Sequence, residues 1–180
     1  PGAVFTAEAA TNYSSIYQYD QFGWISSFGY GSTTAWGANI FTATSSNPIV
    51  AVSFYTASVN SSYELFIYRG VTAGSPRSGT LVLNQSGTIA SPGYHTIILN
   101  NPVPLSTGEL FSVVIKLTTP GYNYPIPAER PLSGYSSQAT ANPGESFISY
   151  DGNSWSDLSA SGYKANICLK AFTSSISSPY

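Results

Sequence analysis

Leu110-Phe-Ser-Val-Val-Ile-Lys-Leu-Thr118 is the stretch that decides the fold. Phe111, Val113, Ile115 and Leu117 recur at every second position, so a strand gathers all four on one face and a helix would scatter them. The same alternation returns in Val50, Val52 and Phe54 against Ala51, Ser53 and Tyr55, and in Tyr63, Leu65 and Ile67 against Glu64, Phe66 and Tyr68. Further strands are expected over 36–43, 80–85, 94–99, 146–150 and 167–173. Turn signals separate them: Asn47-Pro48, Gly74-Ser-Pro76, Ser91-Pro-Gly93, Asn100-Asn-Pro102, Pro120-Gly121 and Asp151-Gly152. Short strands at this spacing, with no long 3.6-residue period, predict an all-β antiparallel two-sheet sandwich of the jelly-roll kind. Residues 121–143, rich in Tyr, Pro and Ser, read as a long ordered loop.

The chain of 180 residues is long enough for one domain with a two-layer core. Three units are expected: an arm at 1–12, the sandwich at 13–173 and a Ser-rich tail at 174–180. Hydrophobic residues make up 42% and charged residues 8%, against about 25% in an ordinary soluble domain. The surface must then be built from Ser, Thr, Asn, Gln and Tyr, which suits sugars, cell-wall polymers or self-association better than charged partners. Six basic residues scattered singly, at a net charge of −2, leave no footprint for a phosphate backbone, so nucleic acid is excluded as a partner. No apolar run reaches the length of a membrane span, which argues against membrane insertion. The absence of Met is expected of a polypeptide whose start has been processed.

Little here can do chemistry. His95 is the only histidine and Cys168 the only cysteine, so a histidine-based zinc site or a nucleophilic triad has too few parts. Cys168, inside Asn166-Ile-Cys-Leu-Lys-Ala-Phe172, reads as a small buried hydrophobe. Phosphate loops, dinucleotide fingerprints and nucleophile elbows are absent. Eight acids keep a glycoside hydrolase as a distant alternative, since that chemistry needs only two carboxylates. The densest polar cluster is Tyr150-Asp-Gly-Asn-Ser-Trp-Ser-Asp157. There Asp151, Asn153 and Asp157 offer the oxygen ligands that Ca²⁺ prefers, although Asp-Gly between strands also makes a hairpin turn without metal. Asp20, among aromatics in Tyr17-Gln-Tyr-Asp-Gln-Phe-Gly23, needs a positive partner, backbone donors or a metal.

Aromatic residues are 14% of the chain. Tyr122, Tyr124 and Tyr135 in the 121–143 segment, with Trp155 in the acidic turn, are candidates for stacking on a pyranose while neighbouring polar groups read its hydroxyls. The alternative is that these rings cap the core. Asn12, Asn60 and Asn84 each open a glycosylation triplet, but 11 Asn among so many Ser and Thr give about three such triplets by chance. Val4 and Phe5 are unusual in a free arm. Residues 1–10 are expected to pair either with their own sheet or with a neighbouring molecule, which would link subunits into a filament.

Several short motifs recur together in a characteristic order. Tyr19-Asp20, Gly23-Trp24, Gly29-Tyr-Gly31 and Ala35-Trp-Gly-Ala-Asn39 with Phe41-Thr-Ala43 come first. Tyr63-Glu64, Ile67-Tyr68, Ser78-Gly-Thr80, Gly93-Tyr-His-Thr96 and Phe111-Ser-Val-Val114 follow. Lys116-Leu-Thr-Thr119, Gly134-Tyr-Ser136, Asp151-Gly152, Ser154-Trp155, Asn166, Cys168 and Lys170-Ala171 complete the set. From about Tyr17 to Phe172 the chain resembles the lectin-like domain that follows papain-family cysteine peptidase domains in surface proteins of clostridia and methanogenic archaea. The resemblance implies a β-sandwich, extracellular display on a prokaryotic cell, bacterial or archaeal, and bound calcium, and it names no sugar. The peptidase portion has no counterpart here, so peptidase activity is not carried over. Two roles are expected of such a module: non-catalytic attachment to glycan or cell-wall polymer, or self-assembly as a structural subunit.

Overall fold

The computed structural model describes residues 4–5, 10–160 and 162–174. Among these residues, fourteen strands and one short 3₁₀ turn at Ala10–Asn12 account for the regular structure, and no helix is long and apolar enough to cross a membrane. The chain runs through β1 (Val4–Phe5), β2 (Ser15–Tyr17), β3 (Ser26–Phe28), β4 (Thr34–Thr42), β5 (Ile49–Thr56), β6 (Ser61–Arg69) and β7 (Thr80–Ile89). It continues with β8 (Gly93–Val103), β9 (Leu110–Thr118), β10 (Ile126–Glu129), β11 (Ser146–Ser149), β12 (Ser156–Asp157), β13 (Asn166–Ile167) and β14 (Leu169–Thr173). A six-stranded sheet, ordered β12-β11-β4-β9-β6-β7, faces a five-stranded one, ordered β1-β8-β5-β14-β2. A small third sheet, β13-β10-β3, closes one end. All pairings are antiparallel except β1 with β8. The architecture is an all-β sandwich.

The alternation in β9 has its expected outcome. Phe111, Val113, Ile115 and Leu117 all enter the core between the sheets, alongside Leu65 and Ile67 of β6. In β5 the periodicity is interrupted. The register shifts between Ile49 and Ala51, so Ile49 takes the core position expected of Val50 while Val52 and Phe54 keep theirs. The 121–143 segment is also not wholly a loop. Its residues 126–129 form β10, which pairs with β3 and β13 and buries Ile126 and Ala128 completely. The Asp151-Gly152 turn does join a hairpin, with Phe147 opposite Asp157 and Ile148 opposite Ser156.

One buried side chain ties the layers together. Asn39 on β4 donates to the carbonyls of Ile167 (3.1 Å) and Leu169 (2.9 Å) and accepts from Ser146 Oγ (2.6 Å). Ser146 Oγ in turn accepts from the Ile167 amide (3.1 Å). The break between β13 and β14 thus keeps its backbone groups partnered without a continuous ladder.

Val4 and Phe5 lie on the edge of the five-stranded sheet. They pair with Gly93 and Tyr94 of the same chain.

Candidate functional site

Half of each strand in the six-stranded sheet points away from the core, and on β4, β6 and β9 that outer face is not polar. Ala38, Ile40, Phe66, Tyr68, Val114 and Phe147 form a second apolar cluster there, with Trp36 and Trp155 packed against it. Residues 70–79 fold over this cluster. The Val71 amide donates to Leu110 O (3.1 Å), and the buried Ser112 hydroxyl donates to Pro76 O. The segment therefore docks on the sheet by its own backbone, and the next residue, Arg77, is held over the rings.

Arg77 organises the site. Its guanidinium carbon stands 5.4 Å from the Trp36 ring centre, 5.9 Å from Phe66 and 5.8 Å from Tyr68. Three π-faces around one cation give it a preferred seat. Nε donates to Tyr68 Oη (2.9 Å) and Nη1 to Gly152 O (2.7 Å), so the arginine joins the 70–79 segment to the turn after β11. Gly152 could hardly be anything else. Its φ is +77°, and a Cβ there would meet the Trp36 ring at 2.7 Å.

The result is an open cleft of about 630 Å³ lined by Tyr68, Ser75, Arg77, Ser78, Asn153 and Trp155. Rings form its base and hydroxyl, amide and guanidinium groups its rim. Arg77 forms no ion pair among the described residues, whereas Arg69, Lys116 and Lys170 pair with Glu109, Glu64 and Asp20. The indole Nε1 of Trp155 is buried and without an acceptor.

The other candidate rings lie elsewhere. Tyr122 and Tyr124 form an edge-to-face pair at 6.2 Å, and Tyr135 stands out into solvent. The four rings picked from the sequence do not converge, and only Trp155 lies in the cleft. Sequence reading missed Arg77, because Gly74-Ser-Pro-Arg-Ser-Gly79 reads simply as a turn. It also missed a smaller apolar hollow of about 230 Å³ lined by Phe28, Tyr30, Ile148, Leu158 and Tyr163.

The acidic turn is held by its own donors. Asp151 Oδ1 accepts from Ser149 Oγ and from the amides of Asn153 (2.8 Å) and Ser154 (2.9 Å), which keep its carboxyl below the usual range. Asp157 accepts from the amides of Gly144 and Ser159, which outweigh its partial burial and lower its pKa also. Asp151 and Asp157 thus belong to two separate hydrogen-bond systems, and Asn153 takes part in the first through its backbone. Oxygens so supplied with N–H donors fit a turn better than a calcium cage. No group of three or more His, Cys, Asp or Glu side chains converges among the described residues. Asp20 has the positive partner its surroundings require: Lys170 Nζ lies 2.6 Å from Oδ2.

His95 Nε2 is hydrogen-bonded to Ser91 O, and burial lowers its pKa. Cys168 is buried, and burial pushes its thiol well up, as expected of an inert side chain. Asn12, Asn60 and Asn84 are all exposed, which leaves each open to a modifying enzyme.

The fold is a two-sheet β-sandwich with an aromatic cleft on the outer face of one sheet. The chain belongs to the Lectin like domain family, whose profile matches residues 16–173. It is similar in structure to the clostridial cysteine protease Cwp84 after propeptide cleavage, with a TM-score of 0.71 and 25% identity over 94% of this chain and 42% of that one. It also resembles the crystal structure of the cysteine protease and lectin-like domains of Cwp84, a surface layer associated protein of Clostridium difficile. That likeness has a TM-score of 0.67 at 24% identity, over 94% of this chain and 37% of the other. The chain thus spans less than half the length of either structure. A comparison with curated protein sequences finds no match.

Proposed function

We propose that the protein is a non-catalytic, extracellular lectin-like module that attaches to a cell-surface glycan through the Arg77–Trp155 cleft. The observation that carries this reading is the cleft itself: Tyr68 and Trp155 supply ring surface, and Ser75, Ser78, Asn153 and Arg77 supply hydrogen-bonding groups at its rim. The surface location follows from the likeness to Cwp84, a surface layer associated protein. Against a hydrolase reading, Asp20 and Glu129 are sealed in the interior, while Asp151 and Asp157 hold turns. A glycan array carrying neutral and acidic polysaccharides tests the proposal. Wild type is expected to bind at least one class, and Asn153→Ala with Ser75→Ala to weaken that binding about tenfold with an unchanged melting temperature. No binding by wild type across the array would reject the reading.

Self-assembly is the second reading. It is favoured by β1, a two-residue strand at the open edge of the five-stranded sheet, where a copy from a neighbour would find the same backbone groups. Calcium, implied by the family, is tested by melting the protein with and without Ca²⁺. A ligand of the folded state alone raises the melting temperature. A rise abolished by Asp151→Ala plus Asp157→Ala would locate the ion in the 151–157 turn, and one that persists would direct attention to Asp20.

A further inference from the structure

Away from the cleft, the interior holds three ionisable side chains that no binding role uses. Asp20 is 0% exposed, Glu129 1%, and the Lys170 side chain 12%. Lys170 Nζ donates to Asp20 Oδ2 (2.6 Å), Asp20 O (3.0 Å) and Gln18 Oε1 (2.8 Å), which hold its nitrogen against the Asp20 carboxyl group. Glu129, at the end of β10, accepts the amide of Phe22, two residues beyond Asp20. Asp20 Oδ1 and Glu129 Oε1 are both buried and take no hydrogen bond from an amide, hydroxyl or ammonium group. Two buried carboxyl groups thus lie within electrostatic reach of one lysine, which is bonded to Asp20, in an interior where a full set of charges is costly.

We propose that Lys170 and Asp20 condense to an intramolecular isopeptide bond, with Glu129 as the proton carrier. Within the 2.6 Å hydrogen bond, a proton passes from the Lys170 ammonium to the Asp20 carboxylate, and the neutral amine and acid suit the apolar interior better than the ion pair. Nζ then attacks Asp20 Cγ, forming the C–N bond. Glu129, protonated at the outset, gives its proton to the departing hydroxyl and takes one back from the nitrogen. The C–O bond breaks, water leaves, and Glu129 ends as it began. One amine and one acid become one amide and one water, with no oxidant or cofactor needed. Holding the two groups in contact supplies the effective concentration that drives such a step. Burial raises the pKa of both Asp20 and Glu129, which helps to keep protonated carboxyl groups available.

Intact-mass spectrometry of the full, denatured chain tests the proposal. Wild type is expected to be lighter than its sequence by one water, and digestion to yield a branched product joining the peptides of residues 20 and 170. Lys170→Arg, which keeps the charge, and Glu129→Gln should both show the unmodified mass. Folded wild type at its unmodified mass, as judged by circular dichroism on the same sample, overturns the proposal. So does a water loss confined to the Asp151-Gly152 peptide, where a succinimide would have formed instead. A cross-link that persists in Glu129→Gln removes Glu129 from the mechanism.

Discussion

Glu129 closes β10 with its carboxyl group sealed from water, and burial pushes its pKa up against the opposing hydrogen bond from the Phe22 amide. A group whose folded-state pKa lies above the unfolded one is bound to its proton more tightly when folded. Its contribution therefore favours the fold in acid and is lost as pH rises from the ordinary carboxylate value towards the raised one. Asp20, while its carboxyl group is free, acts in the same direction, through burial opposed by Lys170. Asp151 has the reverse sign: its depressed pKa contributes stability above the ordinary carboxylate range that disappears in acid. Glu129→Gln removes one titration and keeps an oxygen for the Phe22 amide. The loss of melting temperature between about pH 4 and about pH 7 should be shallower in the variant than in wild type. Thermal melts across that range check this, and parallel curves would mean that another group sets the slope. Neither the lysine pairing of Asp20 nor the burial of Glu129 was legible in the sequence. The residues lie far apart along the chain, and only the fold brings them together.

At the level of elements, β4, β6 and β9 were readable because each spans enough residues for the two-residue period to show. β10 was not, since Ile126-Pro-Ala-Glu129 offers a single turn of the alternation amid prolines, and its burial comes from β3 and β13 on either side. The outer face of the six-stranded sheet was misleading for another reason. Phe66 and Tyr68 look like exceptions to an inside-outside pattern, yet they are covered by residues 70–79 and by Arg77. The cleft depends on that cover, and Arg77 fastens it to the neighbouring turn. Arg77→Ala should cost roughly 1–2 kcal/mol in urea denaturation, from the lost cation–π seat and hydrogen bonds. It should also raise protease sensitivity within 70–79 before the rest of the chain. Arg77→Lys retains the charge without the planar fork and should recover only part of the loss. A cleavage pattern identical to wild type would show that the segment is held without the arginine.

For the molecule as a whole, low charge and an edge strand at Val4–Phe5 leave assembly as the open property. Deleting residues 1–10 separates the cases. If the arm links subunits, the truncated chain remains folded and sediments as a monomer while the full chain forms larger species. If the arm serves only its own sheet, the two sediment alike and the truncated chain melts lower. Light scattering with thermal melts distinguishes these outcomes. The sandwich itself was legible at this scale from composition and strand spacing, but the cleft was not, because it arises where a loop, a hairpin turn and three strands meet. The pairing of β2 with β14 has one more consequence. Ser15 lies opposite Thr173, and the Ser14 amide donates to Thr173 O (2.8 Å), so β2 begins beside the point where β14 ends, at the sheet edge opposite β1. Tension applied between residues 14 and 173 would therefore open these two strands like a zipper, one rung at a time. Lys170 and Asp20 lie beyond the last rung, where they form the latch at which such peeling would stop.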